Sequence, residues 1–351
     1  MTTQVAFIFP GQGSQAVGMG ADIFAASTAA RQVFETVDEA LGISLSNLCF
    51  SGPEGVLLET INAQPAIVTV SLALLAAFQE ALSPNSPQSS WSSPLAPAYT
   101  AGHSVGEYAA LVASAALDLK DAVLLVRERG RLMHHEGTVC PGGMAAIIGL
   151  DEATLQEICQ EATAQATTTP ATKATDATAS QHPGWGKVAV ANFNAPGQIV
   201  ISGEQHALAL AMELAKKRGA RRVIPLPVSG AFHSPVMQPA AAGLAQAIQA
   251  TDVHDATIPI IGNIQATPLT QAPAIRDELA QQIATSVQWI RSIEYLTGAG
   301  VTTFIEIGPG QALTGMVKRI AKGVTTINVS NMGEIEKAVG TIHQMRFIDE
   351  G

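Results

Sequence analysis

The sequence predicts an α/β protein in which a large domain on a parallel sheet is interrupted by a smaller inserted domain. Three observations predict it. A short, continuously apolar run at residues 5–9 and a second strand at 303–307 each end in a glycine-rich turn, as buried parallel strands do. A Gly-X-Ser-X-Gly run, Gly102-His103-Ser104-Val105-Gly106, stands between an apolar segment and an amphipathic one and reads as a nucleophile elbow of the kind found on α/β-hydrolase-like sheets. Residues 144–228 follow the order βαββαβ, the ferredoxin-like unit. The expected boundaries are 1–136 and 228–351 for the large catalytic domain, and 137–227 for the small one.

Composition sets the class. At 351 residues the chain suits one large domain with a companion, and 47% hydrophobic against 14% charged residues is a compact α/β composition. No stretch reaches about 18 uninterrupted apolar residues, and no basic segment leads an apolar one at the N-terminus, so no membrane partner and a cytoplasmic chain are expected. Cys49, Cys140 and Cys159 lie far apart, which argues against a disulfide framework or a zinc site, and no metal is expected. A formal charge of −10 argues against a nucleic-acid partner.

In chain order, the strand at residues 5–9 closes on Pro10-Gly11-Gln12-Gly13-Ser14-Gln15, a turn that can aim the Gln12 amide into the crevice at the strand ends. The simpler reading is a connector with a solvated glutamine. Helical periodicity fills 19–40 and 66–82, with Gln64-Pro65 ending one segment and starting the next. Residues 83–97, rich in Ser and Pro, read as a surface loop. After the elbow, a helix from Val105 and another over 122–136 are expected; the second carries Arg127, Arg129 and Arg131, which cannot all share one face. Spacing alone favours three solvated arginines, while an inward guanidinium would need an anion such as a carboxylate.

The small domain reads as a strand at 144–150, a helix at 151–162, a hairpin over 188–194 and 198–202, a helix at 204–219 and a strand at 221–228. An Ala/Thr-rich insert at 162–180 has a composition unsuited to a packed core. Past it, Gly230-Ala231-Phe232-His233-Ser234-Pro235 holds a histidine in a loop entering a helix toward residue 250. A lone loop histidine is ordinarily a surface or capping residue; its place where the two domains meet is what favours His233. Strands at 258–261 and 303–307 follow, the second ending in Gly308-Pro309-Gly310.

Four of these segments together carry a resemblance: the turn through Gln12, the elbow through Tyr108, the loop Gly230-Ala231-Phe232-His233 and the turn Glu306-Ile307-Gly308-Pro309-Gly310. With Gln64-Pro65, Arg129-Gly130 followed by Met133, and Asn192-Phe193-Asn194-Ala195-Pro196-Gly197-Gln198, the chain resembles the malonyl-CoA:acyl carrier protein transacylases over residues 5–319. The resemblance implies transfer of malonyl from malonyl-CoA to the phosphopantetheine thiol of acyl carrier protein, with no resident cofactor, in fatty acid or polyketide synthesis. Ser104 would be the nucleophile and His233 the base, its ring fixed by a main-chain carbonyl at Gln282. Backbone N–H groups of Gln12 and Val105 would form the oxyanion hole. Arg129 would pair with the malonyl carboxylate, and Gln64, Met133, Phe232 and Asn194 would line the substrate site. Phe232 beside the pocket resembles malonyl-selecting members.

Two basic clusters, Lys216, Lys217, Arg218, Arg221 and Arg222 on the small domain and Lys318, Arg319 and Lys322 on the large one, are candidates for steering an acidic carrier protein. A monomer is expected. A serine hydrolase of thioesterase or lipase type shares the elbow but not a need for Arg129, and an idle docking domain would not require Ser104, His233, Gln12 and Arg129 together.

Overall fold

The computed structural model describes residues 4–83, 95–168 and 182–349. Its strands are β1 (Gln4–Phe9), β2 (Tyr99–Gly102), β3 (Gly142–Ile148), β4 (Val188–Ala195), β5 (Gln198–Glu204), β6 (Arg222–Pro225), β7 (Ile260–Ile261), β8 (Pro268–Leu269), β9 (Val301–Ile307) and β10 (Thr325–Val329). Six of them form one sheet in the order β10-β9-β1-β2-β7-β8, with every neighbouring pair parallel except β7 and β8. Parallel strands end at a common edge, so the turns after β1, β2, β7 and β9 gather there. The register sets Phe9 beside Gly102, and Ile8 between Ala101 and Glu306.

Alternation along β1 explains why its run is wholly apolar. Phe7 and Phe9 enter the core shared with the helix Thr60–Leu82, while Ala6 and Ile8 enter a second one with Trp289, Ile293 and Leu296. A strand covered on both faces favours apolar residues at successive positions.

The second sheet is antiparallel, in the order β4-β5-β3-β6. The helices Glu152–Thr168 and Gln205–Lys217 pack on it around a core of their own that includes Ile147, Leu155, Ile158, Ile201 and Ala211. The edge strand β4 also pairs with the segment before the helix Trp289–Gly298. Phe193 N–H donates to Val287 O at 2.9 Å and Val287 N–H to Ala191 O at 2.8 Å, which carries Asn192 and Asn194 to the mouth of the parallel sheet.

Several expectations need correction. Pro65 does not start a helix; it lies inside Thr60–Leu82. A proline there leaves the carbonyl four residues back without its helical donor, and Arg127 Nη1 supplies one to Ile61 O at 2.7 Å. The segment 19–40 forms two helices, Ala21–Ala26 and Thr28–Leu41, because Ser27 is extended and its Oγ caps the second through Ala30 N–H at 3.0 Å. The insert was expected to form no packed core from residue 162, yet Glu152–Thr168 runs through its start, burying Ala162 and Ala166. Small side chains let that helix lie close on the sheet. Residues 169–181, and 84–94 of the Ser/Pro-rich stretch, lie outside the described residues. The strand expected at 258–261 shortens to β7, and β8, β10 and the helices Ala312–Ile320 and Met332–Asp349 had no counterpart in the reading.

One described helix, Thr60–Leu82, is long and apolar enough to cross a membrane, but 94% of its most apolar window is buried inside the protein. Its apolar surface is spent on the core.

The elbow helix Gly106–Ala113 starts against the end of β1, where a Cβ on Gly106 would lie 2.2 Å from Phe9 O. Gly106→Ala should therefore destabilise the fold by about 1–3 kcal/mol or more, read as a shift in the urea unfolding midpoint.

Candidate active site at the carboxyl edge of the parallel sheet

Ser104 occupies the turn between β2 and the elbow helix with φ 52°, a left-handed conformation that costs a non-glycine residue energy. The turn closes only because its flanks lack side chains: a Cβ on Gly102 would sit 2.0 Å from the Gly106 carbonyl carbon. Asn263, just past β7, holds both sides of the turn. Its Oδ1 accepts from Ser104 N–H at 2.8 Å and its Nδ2 donates to Gly102 O at 2.8 Å.

His233 is buried and also left-handed, with φ 56°. Its Nδ1 faces two carbonyl oxygens, Gln282 O and Thr285 O, each at 3.0 Å. Carbonyls only accept, so the proton sits on Nδ1, and Nε2 presents its lone pair to Ser104 Oγ at 2.7 Å. Burial, reinforced by the charge of Arg129, lowers the imidazole pKa to about 3. His233 therefore stays neutral and able to take a proton.

Arg129 is the inward arginine, only 1% exposed, whereas Arg127 is half-buried against Ile61 and Asn62, and Arg131 is exposed and paired with Glu128. The reading of three solvated arginines fails because Gly130 lets the helix Leu119–Val139 press on Thr60–Leu82. A Cβ there would lie 2.9 Å from Thr60 O, and that approach carries Arg129 inside beside Gln64. Nη1 donates to Gln64 Oε1; Nη2 donates to Gln282 Oε1 at 2.8 Å and to Ser104 Oγ at 3.2 Å. Nε is buried without a partner among the described residues, and the Tyr108 ring lies 5.9 Å from the guanidinium carbon. Desolvation lowers the Arg129 pKa, while Tyr108 and Glu107 oppose it. A guanidinium remains charged under such a shift.

The remaining expected residues fall around this centre. Gln64 Nε2 donates to Thr60 Oγ1 at 2.7 Å and to Met133 Sδ at 3.3 Å; Thr60 Oγ1 donates to Gln12 Oε1 at 3.1 Å. The turn after β1 is seated on the elbow, since a Cβ on Gly11 would lie 2.5 Å from His103 O. Neither Gln12 nor Val105 N–H meets a backbone acceptor among the described residues. Asn194 is turned onto the elbow: its Oδ1 accepts from His103 Nε2 at 2.8 Å. Phe232 is buried, with its ring over Gly230. Gly308 is pressed against the Pro10 ring, so the turn after β9 supports the site from below. One arginine of each basic cluster is engaged: Arg218 pairs with Glu157 and Glu161, and Arg319 donates to Gln198 Oε1 and to Pro196 O at 2.7 Å.

The sequence reading missed Asn263, Thr60, Thr285, and the side chain of Gln282. Asn263 had a signal. It follows the apolar run at residues 258–261, as Gln12 follows the first strand and Ser104 the second. The others sit in helices or loops whose spacing says nothing of the site.

The chain is similar to known proteins. Residues 6–346 match the acyl transferase domain family. The chain is 42% identical to the malonyl CoA-acyl carrier protein transacylase of Bacillus subtilis (strain 168) over 97% of this chain and 98% of that one, and 39% identical to that of Escherichia coli (strain K12) over 95% and 96%. Among solved structures it resembles acyl-carrier-protein-S-malonyltransferase from Bartonella henselae, with TM-score 0.85, 38% identity and coverage of 97% and 100%. It also resembles a type II PKS acyl-carrier protein in complex with its malonyl-transacylase, with TM-score 0.83, 34% identity and the same coverage.

The low pKa of His233 carries a stability consequence. Between about 3 and 6.5 the unfolded chain binds a proton here that the folded chain refuses, so this contribution is full above pH 6.5 and lost as pH falls. His233→Gln should accordingly weaken the fall in unfolding midpoint between pH 7 and pH 5; a fall as steep as in the parent protein would place its origin elsewhere.

Proposed function

The chain belongs to the acyl transferase family, and from that premise we propose that Ser104 and His233 carry its malonyl transfer in two half-reactions. The enzyme is an acyltransferase that moves malonyl from malonyl-CoA to acyl carrier protein. In the first half-reaction Ser104 Oγ attacks the thioester carbonyl while its proton passes to His233 Nε2. The C–S bond breaks, and coenzyme A leaves as a thiol with that proton. In the second, the pantetheine thiol of the carrier gives its proton to His233, and its sulfur attacks the Ser104 ester. Ser104 recovers the proton, and malonyl leaves on the carrier.

The backbone N–H groups of Val105 and Gln12 serve as the oxyanion hole in this reading; loss of one such donor costs roughly 10²–10³-fold in rate. The observation that carries the reading is Arg129, a buried cation whose Nη2 lies 3.2 Å from the nucleophile. A malonyl group on Ser104 brings its free carboxylate to that charge, whereas an acetyl group leaves it unpaired, and a general esterase has no use for it. Gln64 and Met133 back the arginine, Phe232 bounds the acyl pocket, and Asn194 faces the arriving thioester arm.

The same reading assigns residues 1–136 and 228–351 to an α/β-hydrolase-like catalytic domain and 137–227 to a ferredoxin-like one. The strand order β4-β5-β3-β6, second-third-first-fourth within the unit, supports the latter. It also makes the protein a cytoplasmic monomer without a resident cofactor, its phosphopantetheine arriving on the carrier.

Incubation with radiolabelled malonyl-CoA tests the function. Ser104→Ala should take up no covalent label; Arg129→Ala should label with malonyl at least tenfold more slowly while accepting acetyl better than the parent enzyme. An unchanged preference for malonyl in Arg129→Ala would refute its role.

A further inference from the structure

Gln282 touches three parts of the machinery at once, and a fourth contact fixes how it does so. Its main-chain oxygen holds His233 Nδ1–H, its Oε1 accepts from Arg129, and its Nε2 donates both to Ser104 O at 3.0 Å and to the Glu107 carboxylate. The amide has only one sensible orientation, because Arg129 can only donate and the Ser104 carbonyl can only accept. Turning it over would set a donor against the guanidinium and an acceptor against the carbonyl. The second Nε2 hydrogen needs a partner, and Glu107 is the group that meets it.

Glu107 stands in the first turn of the elbow helix, 1% exposed, three residues after the nucleophile. No step of the transfer uses it. It is built in on its other side as well: the backbone N–H of Asn263 hydrogen-bonds to it and to Glu278, whose Oε1 also accepts from Ile264 N–H at 2.8 Å. Two buried carboxylates thus grip the segment whose Asn263 side chain holds the elbow.

We infer that Glu107 is a positioning residue for acyl selection: by accepting from Gln282 Nε2 it locks the amide so that Oε1 holds the Arg129 guanidinium where the malonyl carboxylate must bind. The inference rests on the malonyl-transfer reading and deepens it. Burial, with Glu278 close by, raises the Glu107 pKa well above the usual carboxylate range, and Glu278 rises to about 7; burial disfavours the charged form of both acids, and it is the oxygen of Glu107 that accepts from Gln282. A neutral side chain of the same shape should then serve in place of Glu107.

The test compares initial labelling rates with malonyl-CoA and with acetyl-CoA for the whole enzyme and its variants, each checked for folding by circular dichroism. Glu107→Ala should lose roughly tenfold in the malonyl-to-acetyl ratio, the size expected for one misplaced hydrogen bond to a charged group. Acetyl labelling itself should change little, and Glu107→Gln should restore the ratio. If Glu107→Ala does not fold, Glu107→Asp takes its place: it keeps the acid but draws it back by one methylene, and should show the same loss. A ratio that stays at the parent value in the folded Ala or Asp variant, equal losses with both substrates, or a Gln variant as impaired as Ala would each overturn the inference. Failure of the parent enzyme to take malonyl label would instead refute the malonyl-transfer reading itself.

Discussion

A guanidinium with 1% of its surface exposed must be stabilised by what surrounds it, and much of the site is arranged around that requirement. An unpaired buried cation is costly, and among the described residues no carboxylate pairs directly with Arg129. Oriented dipoles take that role instead: the amide oxygens of Gln64 and Gln282, the Ser104 hydroxyl and the Tyr108 ring, with Glu107 at longer range. The charge is tolerated but incompletely satisfied, since Nε has no partner among the described residues. A site left in that condition has free energy to gain from an incoming carboxylate.

The same charge acts on His233. It helps keep His233 neutral, so the imidazole that faces Ser104 is the form able to accept its proton. Arg129 and His233 are therefore electrostatically linked across one hydroxyl. Gln282 joins them mechanically, since its backbone orients the histidine and its side chain the arginine. A helix end is well suited to this, because its last carbonyls lack helical partners and are free to accept from outside.

Much of the catalytic frame was legible in the residues. β1 was visible because a strand buried on both faces can be continuously apolar, and β1, the elbow and β9 all run into glycine-rich turns. The order of elements in the second sheet was visible from periodicity alone. Legibility failed where distant parts decide. Pro65 reads locally as a helix start, and only Arg127, more than sixty residues away, makes it tolerable inside a helix. The Ala-rich start of the insert reads as coreless, although small residues are what a helix lying close to a sheet requires. Asn263, Thr60 and the Gln282 side chain act through contacts 48 to 178 residues distant in sequence.

By itself, the sequence determined the central strands of the parallel sheet, the order of elements in the second sheet and the serine turn, because these follow from local rules: apolar runs, glycine at positions without room for a side chain, and serine, histidine and arginine in motif positions. Which of three arginines turns inward was decided only in the tertiary structure. That choice depends on Gly130 letting two helices approach, and on Gln64 and Gln282 arriving from separate elements to replace the water a guanidinium gives up. The protonation pattern of the site was decided there too, since burial and neighbouring charge, which set it, exist only once the chain has closed around them.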